Sequence, residues 1–181
     1  MSPELKFLAK CKPRELVRVK VEDAGQWALV GKPDRQYWPI ILLSGCQSPL
    51  AINVLEGGSV SGDFETYAVL SFGTTHTLRP NYTARCELGV GQLFKKPGAF
   101  ILSETDEYLI VTEANRQRWF DLRTGAVRGE PGGKLAAFAS WELRVEDLID
   151  TTPALLVHTE VELPRDSERE RPFSWLNRAK E

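Results

Sequence analysis

The feature that most constrains this chain is a faint internal resemblance. Trp27-Ala28-Leu29-Val30-Gly31-Lys32-Pro33-Asp34-Arg35-Gln36-Tyr37-Trp38 runs in the same register as Tyr108-Leu109-Ile110-Val111-Thr112-Glu113-Ala114-Asn115-Arg116-Gln117-Arg118-Trp119. In both, an aromatic and three apolar residues lead into a polar stretch and then Arg-Gln-x-Trp. Each copy reads as a strand, a turn and a second strand entered through a tryptophan. The pair therefore predicts a β protein built from two related hairpins, and it bears on architecture rather than chemistry.

The rest of the chain repeats that style. From Leu16 to Glu22 the residues alternate: Val17, Val19 and Val21 face one way, and Arg18, Lys20 and Glu22 the other. Tyr37 to Leu43 is apolar on both faces, as in a buried strand with Pro39 at its start or at a bulge. Phe64–Phe72, Gly98–Leu102, Glu107–Thr112, Arg118–Leu122 and Leu135–Val145 are further strand candidates, and Leu155–Leu163 alternates again. Asp23-Ala24-Gly25, Lys32-Pro33-Asp34, Thr124-Gly125 and Glu130-Pro131-Gly132-Gly133 supply turns. Short strands between glycine and proline turns predict a mainly β, antiparallel sandwich or partly closed barrel, not a parallel sheet.

Two segments are expected to be helical. Ser2-Pro3-Glu4 has a capping hydroxyl, a proline at the first helical position and an acid at the positive end, so a short N-terminal helix is expected, docked by Leu5 and Leu8 and stopped by Pro13. One turn is expected over Val145–Asp150. The flexible composition of Gly57–Gly62 makes it a long hairpin tip or the boundary where two related β halves meet. Residues 1–164 are thus expected to form the β-rich domain. Residues 165–181 form a tail, a mixed-charge run from Arg165 to Arg171 followed by Pro172-Phe173-Ser174-Trp175-Leu176.

Composition narrows the class. With 181 residues, 42% hydrophobic and 27% charged, the chain can bury a real core and stay soluble. A formal net charge of −2 sets up no global field toward nucleic acid or an anionic membrane. Cys11, Cys46 and Cys86 are odd in number and lack a CxxC, which argues against a disulfide framework or a zinc site. The charged N-terminal stretch holds no signal-peptide core and no apolar run is long enough to span a bilayer, so a cytoplasmic protein with no membrane partner is expected.

Motifs for chemistry are sparse. Gly129-Glu130-Pro131-Gly132-Gly133-Lys134 is one residue short of a phosphate loop and is followed by Leu135 rather than Ser or Thr. Gly89-Val90-Gly91 lacks the third glycine of a dinucleotide fingerprint. Only two histidines are present, His76 in a hydroxyl-rich loop and His158 on the outward face of a strand. A Cys46–His76–Asp63 triad matches no known spacing. No catalytic residue, metal site or cofactor is assigned.

Two groups remain as binding candidates. Arg35, Trp38, Arg116 and Trp119 would form a surface platform if the indoles were exposed, since guanidinium and indole together bind bases, phosphates or partner surfaces; tryptophans on strands more usually fill the core. Phe173, Trp175 and Leu176 make an apolar anchor for docking in cis or in trans. The favoured function is a non-catalytic protein-binding module (an inhibitor, adaptor or assembly subunit) using an exposed β surface and the tail. Its alternatives are a small-ligand-binding or hydrolytic barrel with its site near His76, and a small nucleic-acid-binding barrel using Lys20, Lys95, Lys96, Arg35 or Arg116. Another protein is the favoured partner and nucleic acid the less favoured one.

Overall fold

The computed structural model of the chain describes residues 3–21, 24–34, 37–43, 49–53, 67–82, 85–88, 97–145 and 156–158. The strands in chain order are β1 (Glu4–Phe7), β2 (Leu16–Val21), β3 (Ala24–Val30), β4 (Pro39–Leu42), β5 (Leu50–Asn53), β6 (Ala68–Ser71), β7 (His76–Pro80) and β8 (Arg85–Leu88). They continue with β9 (Phe100–Leu102), β10 (Glu107–Glu113), β11 (Arg116–Asp121), β12 (Val127–Arg128), β13 (Leu135–Phe138), β14 (Trp141–Val145) and β15 (Leu156–His158). Leu8–Lys10 forms a 3-10 turn.

The fold is mainly β, with two sheets in a sandwich-like arrangement. The larger sheet runs β1-β6-β2-β3-β4-β5-β10-β9-β13-β8, and β11 and β12 extend it from β10. The smaller is β15-β14-β7. Among the described residues the larger sheet does not close on itself. All of its pairings are antiparallel except β5 with β10, a parallel contact at Leu50 and Thr112 that joins the N-terminal half of the sheet to the C-terminal half. On the other side of β10 lies β11, in register from Tyr108↔Asp121 to Glu113↔Arg116.

Alternation along the strands sorts the core into layers. The main layer takes Leu16, Leu29 and Ile41 from the N-terminal half, Phe100, Leu109, Val111, Phe120 and Phe138 from the C-terminal half, and Trp141 and Leu143 from the smaller sheet. The opposite face of the N-terminal strands buries Val17, Val19, Ala28, Val30, Ile40, Leu42 and Val69, with Leu8 and Cys11 over them. The opposite face of the C-terminal strands buries Ile101, Tyr108, Ile110 and Trp119. β4 is buried along its whole length, because its two faces belong to two different layers. That explains a strand with no polar alternation.

The structure corrects three details. Glu4–Phe7 is a strand, not the start of a helix, and the helical turn follows it at Leu8–Lys10. The alternation Glu4-Leu5-Lys6-Phe7 has period two, and pairing with β6 outweighs the capping signal of Ser2-Pro3. The segment 135–145 is two strands in different sheets, since the chain crosses at Ala139–Ser140 while the Ser140 carbonyl accepts the Asn81 amide at 2.9 Å. The internal resemblance does not extend to register. Val111 pairs with Arg118, whose counterpart is Tyr37, yet Val30 pairs with Ile40. The first hairpin therefore has a longer connection, closed part-way by a bridge between Asp34 and Tyr37. Gly57–Gly62, the turn expected at Val145–Asp150 beyond Val145, and the tail lie outside the described residues.

Candidate interaction surface

Register places four strands so that one face changes gradually from core to solvent. Leu5 pairs with Leu70, Leu70 with Arg18, and Arg18 with Trp27, which sets these four side chains in a row across β1, β6, β2 and β3. Two residues along, on the same face, stand Phe7 opposite Ala68 and Lys20 opposite Gly25. In the other direction the face continues into Leu16 and Leu29, both in the main core. Phe72 and Trp27 sit at the border, ring centroids 4.8 Å apart and tilted by 60°.

Beyond that border the face is open. Leu5 is 74% and Phe7 51% exposed, and Arg18, Lys20 and Ala68 are exposed too. The Arg18 guanidinium lies over the Trp27 ring, 5.4 Å from its centroid. None of the described positions on this face of the four strands is acidic. Among the described residues β1 pairs only with β6, so the face ends at an edge strand.

The reverse face explains why so short an edge strand stays in place. Lys6 points inward and lies 3.0 and 2.9 Å from the two oxygens of the buried Glu15 carboxylate. Ser71 donates to the same carboxylate at 3.0 Å and accepts the Gly73 amide at 3.2 Å. Burial works against the Glu15 charge, but hydrogen bonds from Lys6 and Ser71 and a main-chain contact at Lys12 outweigh it, and the carboxyl titrates below its usual range. The hydrogen bond to Glu15 raises Lys6 correspondingly. Burial, with the Glu15 charge beside it, pushes the Cys11 thiol up to about 12, so it stays protonated and unreactive at neutral pH. Every polar group here is satisfied by its neighbours, which is the chemistry of a staple rather than of catalysis.

No protein-family model, curated protein or solved structure matches this chain.

The residues singled out from sequence fall in different places. Trp119 is 3% exposed and packs edge-on against Tyr108, with centroids 5.9 Å apart, so its ring is occupied by the core. Arg116, three residues earlier on the same strand, is exposed and points to the opposite face, and the two do not share a platform. Trp38 is half-buried against the layer of Val17 and Ile40. Arg35, Cys46, Asp63, Lys95, Lys96, Phe173, Trp175 and Leu176 lie outside the described residues. His76 opens β7 with its ring buried, and its Nδ1 has no hydrogen-bond partner among the described residues. Burial, then the nearby Arg14 charge, lowers its pKa to about 4, so it is neutral at pH 7. Among the described residues no cluster of His, Cys, Asp and Glu could hold a metal ion, and no helix is long and apolar enough to cross a membrane.

Leu5 and Phe7 were not among the candidates from sequence. The signal was present: polar and apolar residues alternate over Glu4-Leu5-Lys6-Phe7, and that period places both apolar side chains on one face.

Proposed function

We propose that this chain is a non-catalytic protein-binding module that docks a partner on the open face of β1, β6, β2 and β3. The observation that carries the reading is the pair Leu5 and Phe7, large apolar side chains left in solvent where the face of the core runs out to an edge strand. Apolar side chains gathered on one rigid face are how a folded domain presents a docking site. The tail, with Phe173, Trp175 and Leu176, is a second anchor in the same reading, and three cysteines without a paired motif suit a reducing cytoplasm.

The test is affinity capture from a lysate of the source organism with three baits: the natural chain, a Leu5→Ser/Phe7→Ser variant, and a chain ending at Pro164. Both substituted side chains are exposed, so the double variant should keep its stability to within about 1 kcal/mol. A discrete protein retained by the natural chain and lost with the double variant supports docking on the face. Loss with the shortened chain assigns part of the binding to the tail. Equal recovery on all three baits, or no protein on any, ends the proposal.

A further inference from the structure

The edge of β1 offers more than exposed side chains. The Leu8 amide donates to the Tyr67 carbonyl, and Lys6 lies opposite Val69 in the same register, so the main-chain groups of Lys6 and Leu8 face β6. Those of Leu5 and Phe7 then point away from the sheet, where no described strand meets them. The two residues that leave apolar side chains in solvent therefore also carry a free hydrogen-bonding edge. We propose that residues 173–175 of this same chain add to that edge as a strand, with Phe173 and Trp175 beside Leu5 and Phe7 on the open face. The inference goes beyond the docking reading: it names what covers the edge in a lone chain, and so what a partner displaces.

The periods match. Leu5 and Phe7 stand two residues apart, with Lys6 between them turned toward Glu15, and Phe173 and Trp175 stand two apart with Ser174 between. Aromatic side chains set across from apolar ones are favourable cross-strand pairs. In a strand that bonds to β1 through Phe173 and Trp175, Pro172 falls where the main chain faces away from β1, so its missing N–H costs no hydrogen bond. A strand uses both the edge and the face, whereas a helix laid across the face uses the face alone. The reach also suffices. β15 ends at His158 in the smaller sheet, whose Leu78 and Val145 pack into the same layer as Trp27 and Phe72 at the border of the open face. Residues 159–172 can extend to roughly 45 Å, more than the ~30 Å width of a small domain. A segment tethered in this way meets the edge at a millimolar effective concentration, which favours it over the same segment of a second copy at micromolar protein.

The experiment is amide hydrogen exchange by NMR on the purified full chain and on a full-length Phe173→Ser/Trp175→Ser variant. The Leu5 and Phe7 amides should exchange at least about tenfold more slowly in the natural chain than in the variant. The Lys6 amide, which faces β6, should be equally protected in both and reports that β1 is in place. Protection at Leu5 and Phe7 should not change when the natural chain is diluted about tenfold, because a tethered segment does not depend on protein concentration. Leu5 and Phe7 amides that exchange freely in the natural chain, or equally slowly in the variant, overturn the proposal. Protection that fades on dilution assigns the edge to a second copy and overturns it as well. None of these results touches the docking reading, since the sample holds no partner, and the capture experiment decides that separately.

Discussion

His76 shows how one buried ring sets a pH dependence. Its folded pKa, about 4, lies below the ordinary value of 6.5, so the unfolded chain takes up the proton first as pH falls. Stability from keeping this ring neutral is intact above pH 6.5, declines as pH drops below it, and is spent near pH 4, a loss of about 3 kcal/mol at most. Urea denaturation at pH 7 and pH 5 should show this decline in the natural chain and a clearly smaller one in His76→Phe. Equal declines in the two proteins would remove His76 as the cause. Sequence placed this residue in a loop rich in hydroxyls and could not show that the ring turns inward, because burial of a single residue depends on the strand it pairs with. Here that partner is Val145, far along the chain. By contrast, the inward Val17 and Val19 and the outward Arg18 and Lys20 were legible, because alternation fixes relative facing without reference to any distant strand.

Among the elements, the β10–β11 hairpin is the most local. Its two-residue connection, Ala114-Asn115, has φ of 45° and 60°, the left-handed backbone of a type I′ turn. Asparagine tolerates that conformation and alanine does not. Replacing the pair by Asn-Gly (Ala114→Asn with Asn115→Gly) should therefore stabilise the protein by about 0.5–1 kcal/mol, read as a higher melting temperature in calorimetry. A fall in melting temperature would show that this turn is not what limits the hairpin. β11 then ends in a loop organised by one carboxylate: Asp121, fully buried, accepts the amides of Arg123 and Thr124 at 2.8 Å each and the Arg128 guanidinium. The presence of both hairpins was readable from the two related segments, since an apolar run, a polar turn and a second apolar run are local signals. Their registers were not. A connection that lengthens by a few residues shifts the pairing without disturbing the pattern on either strand. The crossing at Ala139–Ser140 was equally invisible, because β13 and β14 differ in which strands they join and not in composition.

For the whole molecule, Trp141 holds the two sheets together. It lies in β14 of the smaller sheet, contributes its ring to the main core, and donates its indole N–H to the Gly98 carbonyl ahead of β9 at 2.8 Å. Trp141→Phe should lower stability by roughly 2–3 kcal/mol, combining lost volume with an orphaned carbonyl. Because one core layer draws from both sheets, tryptophan fluorescence and far-ultraviolet circular dichroism should still report a single transition. Two separated transitions would mean that the smaller sheet folds by itself. The sandwich-like architecture was legible from strand length and turn spacing. The open face was not, since only the register of four strands reveals where the covering layer stops.

The pairing of β1 with β6 also governs the order in which this protein is finished. Glu4 lies opposite Ser71, so a ribosome must deliver most of the first half of the chain before the earliest strand has anything to join. At about 5–20 residues per second that wait lasts several seconds. For that interval Leu5 and Phe7 travel on a segment that lacks the partner strand it has in the folded protein.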